Sequence, residues 1–140
     1  MSRDKLVRQY VETINQKDPS AFAELFSEDA VIHDPFFPEP TRGQPAIRQL
    51  IEGVLRAFPD MNWKQVGDVI EAGDRVAFVV GVEGTNDGPL ATPGGELKAT
   101  RRQVSYEAAV FWTLGPDGLI TEERSYFDAG AVAAQLGMTG

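Results

Sequence analysis

The chain has 140 residues with 13 basic and 21 acidic side chains, which gives a formal net charge of −8, and 42% of its residues are hydrophobic. A length close to the roughly 150 residues typical of one domain predicts a single domain over 1–140. The acidic charge disfavours nucleic acid and anionic membranes as partners, since both attract basic surfaces, and the absence of cysteine excludes disulfides and thiolate sites.

The sequence carries no metal or membrane signal. A single histidine cannot build a multi-histidine metal site, and we expect neither a metal nor a cofactor. No apolar run approaches the roughly 20 residues of a membrane helix, and residues 1–18 have no continuous apolar core of the signal-peptide kind. A cytoplasmic location is therefore expected.

Two helices are predicted at the start of the chain. Between Leu6 and Ile14 the apolar residues recur at helical spacing and include Tyr10. Asp18 followed by Pro19 is typical of an N-cap and a first-turn proline, which predicts a second, short helix.

A strand and a third helix follow. The strand is predicted over Ala30–Asp34, and the proline-rich segment 35–43 after it is expected to be irregular. Pro45 opens the third helix, and Pro59 ends it.

The hydrophobic period changes from helical to alternating after residue 60. Strands are predicted over Trp63–Glu71, Val76–Val82, Leu97–Leu114 (one long strand or two) and Leu119–Phe127. A glycine-rich loop is expected over Asn86–Glu96, and a short final helix over Ala129–Leu136. Helices followed by antiparallel strands define an α+β fold, in which helices on one side of a twisted sheet can enclose an apolar cavity.

Three residues near the end of the last strand are the first candidates for chemistry. Arg124, Tyr126 and Asp128 are two apart and share a face of an extended strand. An arginine, a phenol and a carboxylate beside an apolar cavity provide acid–base and orienting groups. Asp128 also precedes a predicted helix, where aspartate is a preferred N-cap, so both roles stay open.

A second set lies in the first half of the chain. His33 and Asp34 are adjacent, so alternation directs at most one of them into the cavity. Tyr10 is either a core tyrosine bonded to a backbone carbonyl or a cavity residue that faces Asp34 or a ligand. Candidate pocket walls are Phe36, Trp63 and Trp112.

Several segments together resemble one known family. They include LFSEDAVIHDP at 25–35, Phe58-Pro59-Asp60, Gly84-Thr85 and DGLITEERSYFD at 117–128. These segments are similar to SnoaL-like polyketide cyclases of the nuclear-transport-factor-2-like superfamily, over nearly the whole chain. The resemblance implies a cone-shaped, curved antiparallel sheet covered by three N-terminal helices, a cystatin-like α+β barrel.

The same resemblance implies a chemistry. Members of this kind are expected to close a ring by an intramolecular aldol reaction without metal or cofactor, with acid–base catalysis at the position of Asp128. The family often has histidine after Gly-Thr, where this chain has Asn86.

The first 48 residues also resemble ketosteroid isomerases. The resemblance gives Tyr10 the role of an oxyanion donor and Asp34 that of a proton shuttle. The second acidic donor of that family would lie near Ala108 or Ala109 and is missing.

The sequence thus predicts a small cofactor-independent enzyme, a cyclase or isomerase acting on a small hydrophobic carbonyl or polyketide-like ligand. Asp128 is the expected acid–base group, with His33 or Asp34 as its partner. The alternatives are an epoxide hydrolase using the same pocket carboxylate, and a non-catalytic binding protein of the same fold. A homodimer through the outer sheet face is also expected, because Ala109 and Phe111 are apolar on the face opposite to Trp112.

Overall fold

The computed structural model describes residues 3–92 and 94–138. Its helices are α1 (Arg3–Asn15), α2 (Pro19–Glu24), α3 (Gln44–Ala57) and α4 (Ala129–Gln135). Its strands are β1 (Phe26–His33), β2 (Thr41–Arg42), β3 (Asn62–Ala72), β4 (Arg75–Thr85), β5 (Leu90–Thr92), β6 (Gly95–Leu97), β7 (Gln103–Leu114) and β8 (Ile120–Tyr126). Across these residues, no helix has the length and apolarity needed to cross a membrane.

The larger sheet is curved and mostly antiparallel, with the order β2-β1-β8-β7-β4-β3. Consecutive strands β3–β4 and β7–β8 pair as antiparallel neighbours. The exception to the expected antiparallel sheet is β1, which runs parallel to β8. The two are far apart in sequence and are joined by a long path through the fold, so no hairpin forces them to be antiparallel.

The predicted N-terminal helices are confirmed, and they pack against the sheet as an α+β layer. Asp18 caps α2, since its Oδ1 accepts a hydrogen bond from the Ala21 N–H at 3.0 Å. Val7 and Ile14 are fully buried, as the apolar stripe of α1 requires. Helix α1 packs on β3, and α2 and α3 pack on β1.

Some element boundaries differ from the predictions. Strand β1 begins at Phe26 rather than Ala30, and the short strand β2 lies inside the segment expected to be irregular. β2 follows the last proline of that segment, so its backbone N–H groups are free to pair with β1. Strand β7 begins at Gln103 rather than Leu97, because Arg101 adopts a left-handed φ of 64° that an extended strand does not allow.

The expected loop over residues 86–96 also contains regular structure. Strands β5 and β6 form a separate antiparallel hairpin, and β5 packs against α3. Asn86, which precedes the hairpin, is fully buried. The β5–β6 hairpin is therefore attached to the rest of the protein through Asn86 and through the packing of β5 on α3.

Strand β7 separates the inside of the fold from the outside. Its even-numbered residues from Val104 to Leu114 are mostly buried against the helices, and Trp112 is fully inaccessible. On the outer face, Phe111 is 40% exposed and Tyr126 of β8 is 55% exposed. The outer face of the sheet has no helix over these residues.

Candidate active site

The end of β8 presents a different face to the interior than the sequence suggested. A register shift lies between Thr113 and Leu114, where β7 pairs with β8. A bulge of this kind puts one extra residue into one strand and inverts the alternation beyond it. Ile120 and Glu123 are consequently both buried, although they are three residues apart. Glu123 is the inward-facing carboxylate of this strand.

Glu123 is 4% exposed and lies directly opposite Trp112 in the β7–β8 pair. Its Oε1 accepts a hydrogen bond from Trp112 Nε1 at 2.9 Å, and the Tyr10 hydroxyl also hydrogen-bonds to this carboxyl. The pKa of Glu123 is raised to about 7, with burial as the largest cause; the charge of Asp34 also raises it, and the hydrogen bonds from Trp112 and Tyr10 lower it in part. The carboxyl can therefore hold or release a proton near neutral pH.

Tyr10 stands at the centre of this group. It is 2% exposed, and its ring lies 5.0 Å from Phe22, 5.2 Å from Trp63 and 5.1 Å from Trp112, measured between centroids. Burial and the neighbouring Glu123 raise the pKa of its hydroxyl well above the ordinary value, so the phenol stays protonated. Tyr10 is buried in the core, which is the first of the two alternatives that the sequence left open. Its hydrogen-bond partner, however, is a carboxyl group rather than a backbone carbonyl.

Asp34 follows β1 and is half-buried, on the same face of the strand as the buried Ile32. Its Oδ1 accepts a hydrogen bond from the Phe36 N–H at 2.8 Å. Burial raises the pKa of Asp34, and that hydrogen bond lowers it in part. The charge of Asp34 also acts on Glu123 and Tyr10, so the two carboxyl groups belong to one electrostatic site.

A pocket of about 240 Å³ opens where β1 and β8 end, beneath the proline-rich loop. Its walls include His33, Asp34, Arg124, Ser125 and Tyr126. Ser125 also hydrogen-bonds to Glu123, so the buried carboxyl is one side chain away from this opening. The structure thus brings four of the predicted site residues to one pocket and places Glu123 behind it.

His33 lies on the outer side of this pocket. Its Nε2 is 3.3 Å from Glu122 Oε2, and the same oxygen accepts a bond from Arg124 at 3.4 Å. Both residues line the pocket, but the Asp34 carboxyl interacts with the buried Tyr10 and Glu123, whereas His33 contacts Glu122 on the outer side.

Two predictions about the end of β8 are wrong: the face that Arg124 and Tyr126 present, and the position of the Asp128 carboxylate just after the strand. Arg124 and Tyr126 share a face, as predicted, but it is the exposed outer face, because the bulge turns Glu123 inward instead. Asp128 is exposed and caps α4, where its Oδ1 accepts a hydrogen bond from the Ala131 N–H at 2.9 Å. The prediction that the Asp128 carboxylate lies in the cavity is therefore wrong, and its capping role is the one observed.

The predicted pocket walls fall into two groups. Phe36 contacts Phe127 with ring centroids 5.1 Å apart, and Phe127 contacts Tyr106 at 5.0 Å, close to Asp34. Burial and the charge of Asp34 raise the pKa of the Tyr106 hydroxyl. Trp63 and Trp112 instead contact Tyr10 in the core.

The two tryptophans differ in how their indole N–H groups are satisfied. Trp112 donates to Glu123, whereas Trp63 Nε1 is buried and has no hydrogen-bond partner within residues 3–92 and 94–138. A buried donor left without a partner costs about 1–3 kcal/mol.

Sequence reasoning missed Glu123 because the face of a β8 residue depends on how this strand pairs with β7. Partners across an antiparallel pair share a face of the sheet. The Gly115 N–H bonds to the Leu119 carbonyl at the turn, and a register shift follows between Leu114 and Thr113. These two features together place Glu123 opposite Trp112, and the alternation along β8 does not reveal either of them.

Asn86 has a structural role at the base of the β5–β6 hairpin. Its Nδ2 donates to the carbonyls of Ala57 at 3.1 Å and Gly88 at 2.9 Å, and its Oδ1 accepts from the Thr100 N–H at 2.8 Å. These three hydrogen bonds join α3 to the residues on both sides of the hairpin. The position that often carries histidine in the resembling family is here a clamp between α3 and the hairpin.

In the part of the chain that the structure describes, no group of three or more His, Asp or Glu side chains is arranged to hold a metal ion. The arrangement that is present is a pair of carboxyl groups with raised pKa values beside a buried phenol. One group that holds a proton and one that has lost it can act together as general acid and general base.

The family model of the SnoaL-like domain matches residues 7–123, and the chain belongs to this family. No curated protein sequence matches the chain significantly.

Solved structures with the same fold cover nearly the whole chain. The epoxide hydrolase/cyclase-like enzyme SalBIII, described for pyran ring formation in the polyether salinomycin, is 26% identical with a TM-score of 0.74, over 91% of this chain and 92% of that one. IdmH of Streptomyces antibioticus, named as a candidate polyketide cyclase, is 25% identical with a TM-score of 0.74, over 98% of this chain and 98% of that one. A candidate SnoaL-like polyketide cyclase of Jannaschia sp. CCS1 has a TM-score of 0.80 at 17% identity, over 99% and 93%, and shows the fold alone.

Proposed function

We propose that this chain is a ring-closing enzyme that acts on a small hydrophobic substrate carrying oxygen groups, with Glu123 as general acid and Asp34 as general base. The observation that carries the proposal is the buried Glu123 carboxyl, which bonds to Trp112 and has a pKa raised to about 7, together with the electrostatic effect on it of a second partly buried carboxyl, Asp34. The charge of Asp34 disfavours ionisation of Glu123, so the pair passes through a state that holds one proton. In that state an ionised Asp34 and a protonated Glu123 supply both roles without a further group.

Two ring closures use this pair. In an epoxy alcohol, Asp34 takes the hydroxyl proton while that oxygen forms the new C–O bond, the epoxide C–O bond breaks, and Glu123 protonates the released oxygen. In a dicarbonyl compound, Asp34 removes a proton next to one carbonyl, the enolate carbon attacks the other carbonyl, and Glu123 protonates the resulting alkoxide. Both reactions are isomerisations without a co-reactant.

The similarity to SalBIII favours the epoxide route, and the similarity to IdmH favours the carbon–carbon route. Epoxide hydrolysis is a second candidate on the same similarity, with water in place of the internal hydroxyl. In each case Tyr10 is a positioning residue, which holds the Glu123 carboxyl through its hydroxyl.

The test uses two probe substrates with the purified chain: a phenyl-bearing γ,δ-epoxy alcohol, and a phenyl-bearing diketone able to form a six-membered ring. Products are separated by chiral chromatography. Glu123→Gln and Asp34→Asn should each lower turnover by about 10²–10⁴-fold, the usual contribution of general acid–base catalysis. Glu107→Gln, at an exposed position on the outer face, should keep the wild-type rate.

The pH profile gives a second readout. Because Glu123 must be protonated, turnover should fall as the pH rises through about 7. Full activity of Glu123→Gln would contradict the assignment, and binding of both probes without any turnover would favour the non-catalytic binding protein.

We also propose that the chain forms a homodimer through the outer sheet face. Supporting this, Phe111 and Tyr126 form an edge-to-face pair there at 5.8 Å, and Ile70, two strands away from Phe111 in the same cross-strand row, is 67% exposed. A continuous apolar surface of this kind is typical of an interface.

A further inference from the structure

The indole N–H of Trp63 stands out among the polar groups of the core. Trp63 belongs to β3 and lies opposite Val82, which is buried. The residue is partly exposed while its Nε1 is fully buried, so the N–H is on the side of the ring that faces the protein. Among the described residues this donor has no acceptor.

The backbone of Trp63 is held in place from α1. Asn15 Oδ1 accepts from the Trp63 N–H at 2.8 Å, and Asn15 Nδ2 donates to the Trp63 carbonyl at 2.9 Å. Tyr10 and Phe22 contact the indole ring, with centroids 5.2 Å and 6.4 Å away. The unpaired donor therefore sits on a fixed ring rather than on a mobile side chain.

The surroundings decide what kind of acceptor suits this donor. A buried water is stable only where it finds two to four polar partners. The neighbours that contact Trp63 include the rings of Tyr10 and Phe22 and the opposite Val82, and the Tyr10 hydroxyl is committed to Glu123. An apolar molecule with a single oxygen acceptor satisfies this N–H without leaving further hydrogen bonds unmade.

We propose that Trp63 Nε1–H is a specificity-determining donor that binds a carbonyl or ether oxygen of an otherwise apolar substrate. The inference rests on the proposed function, because it places this oxygen on the group of side chains that also holds Glu123. Tyr10 contacts both residues and links the donor to the acid–base site.

The test compares a pair of nearly isosteric probes, acetylnaphthalene and isopropenylnaphthalene, which differ in that only the first has an acceptor oxygen. In the wild type we expect the ketone to bind about fivefold more tightly, the usual gain from one neutral hydrogen bond. Trp63→Phe should abolish this preference and leave the affinity for the hydrocarbon unchanged. The matched exchange Trp112→Phe, at the tryptophan whose N–H already has a partner, should retain the preference.

A second readout needs no change at the proposed site. The chain has two tryptophans, so an NMR spectrum of indole N–H groups contains two signals, which Trp112→Phe assigns. Saturation with the ketone should move the Trp63 signal downfield, and the hydrocarbon should not.

The outcomes separate this inference from the proposed function. Equal affinities for the two probes, or a Trp63 signal that the ketone does not shift, would overturn the proposed role of the Trp63 N–H. Binding of both probes would still support the proposed hydrophobic substrate. If neither probe binds, the proposed hydrophobic substrate is wrong, and the inference is overturned with it.

Discussion

Glu123 accepts a hydrogen bond from Trp112 across the β7–β8 pair, with Oε1 and Nε1 2.9 Å apart and both residues buried. The two residues are direct cross-strand partners, so the sheet register itself places the carboxyl in the core. A buried carboxyl is costly when charged, which is why its pKa rises to about 7. Glu123 carries this desolvation cost, and Glu123 is also the residue that acts as proton donor in the proposed chemistry.

The first prediction concerns stability and pH. Burial raises the pKa of Glu123 from 4.5 to about 7, so between these values the folded state binds more protons at this group than the unfolded state. Its contribution to stability is thus complete below the unfolded pKa and is lost as the pH rises through the folded one. The shift corresponds to about 3 kcal/mol. Asp34, whose pKa is also raised, acts with the same sign.

Glu123→Gln should remove most of this dependence. Urea denaturation at about pH 5 and about pH 8.5 measures it: relative to the variant, the wild type should lose about 2.5 kcal/mol of unfolding free energy between the two conditions, since a part of the effect is already lost below about pH 5. Glu107→Gln should follow the wild type. Parallel pH curves for the wild type and Glu123→Gln would show that this carboxyl has an ordinary pKa.

The second prediction concerns Asp128. Asparagine is as good an N-cap as aspartate, so Asp128→Asn should change neither stability nor turnover, whereas Asp128→Ala should lose about 1 kcal/mol from the missing cap. Thermal denaturation and the probe-substrate assay check this. A turnover loss of Asp128→Asn comparable to that of Glu123→Gln would restore Asp128 as an acid–base group.

The third prediction concerns assembly. Light scattering at micromolar concentration should give the mass of a dimer for the wild type. Phe111→Arg should shift it toward the monomer, because the substitution puts a charge on the exposed apolar sheet face. The control is Leu97→Arg, at a hydrophobic residue of the β5–β6 hairpin that is equally exposed at 41%, which should stay dimeric. A monomeric wild type would rule out the proposed interface.

The fourth prediction concerns the contact between the hairpin and α3. A Cβ at Gly88 would lie 1.9 Å from the Arg56 carbonyl oxygen, so Gly88→Ala forces the backbone apart. We expect a loss of about 1–3 kcal/mol, the usual cost of overpacking. Gly94→Ala, whose Cβ would meet only the Thr92 hydroxyl at 3.9 Å, should be tolerated. Equal melting temperatures for the two variants would show that this segment can move away from α3 without cost.

The sequence alone determined the class of fold and the order of its elements, because both depend on local chemistry. The apolar spacing from Leu6 to Ile14 follows the helical period of 3.6 residues, and the alternation after residue 60 follows the strand period of 2. The Asp18 cap marks where a helix begins. Each of these signals depends only on residues that are close together in the sequence. The joint occurrence of the family segments likewise pointed to the SnoaL-like family to which the chain belongs. The same local patterns and family segments also singled out Asp34 and Tyr10 as candidate residues.

Only the tertiary structure decided which residues of β8 face the core. Alternation along β8 allows two sets of inward-facing residues, and a shift of one residue in the pairing with β7 exchanges one set for the other. The bulge opposite Thr113 and Leu114 makes that choice through pairing with β7, which is not a local property of the segment. It turned Arg124 and Tyr126 outward and Glu123 inward, and the chain then left the sheet before Asp128, whose carboxylate is used to begin a helix.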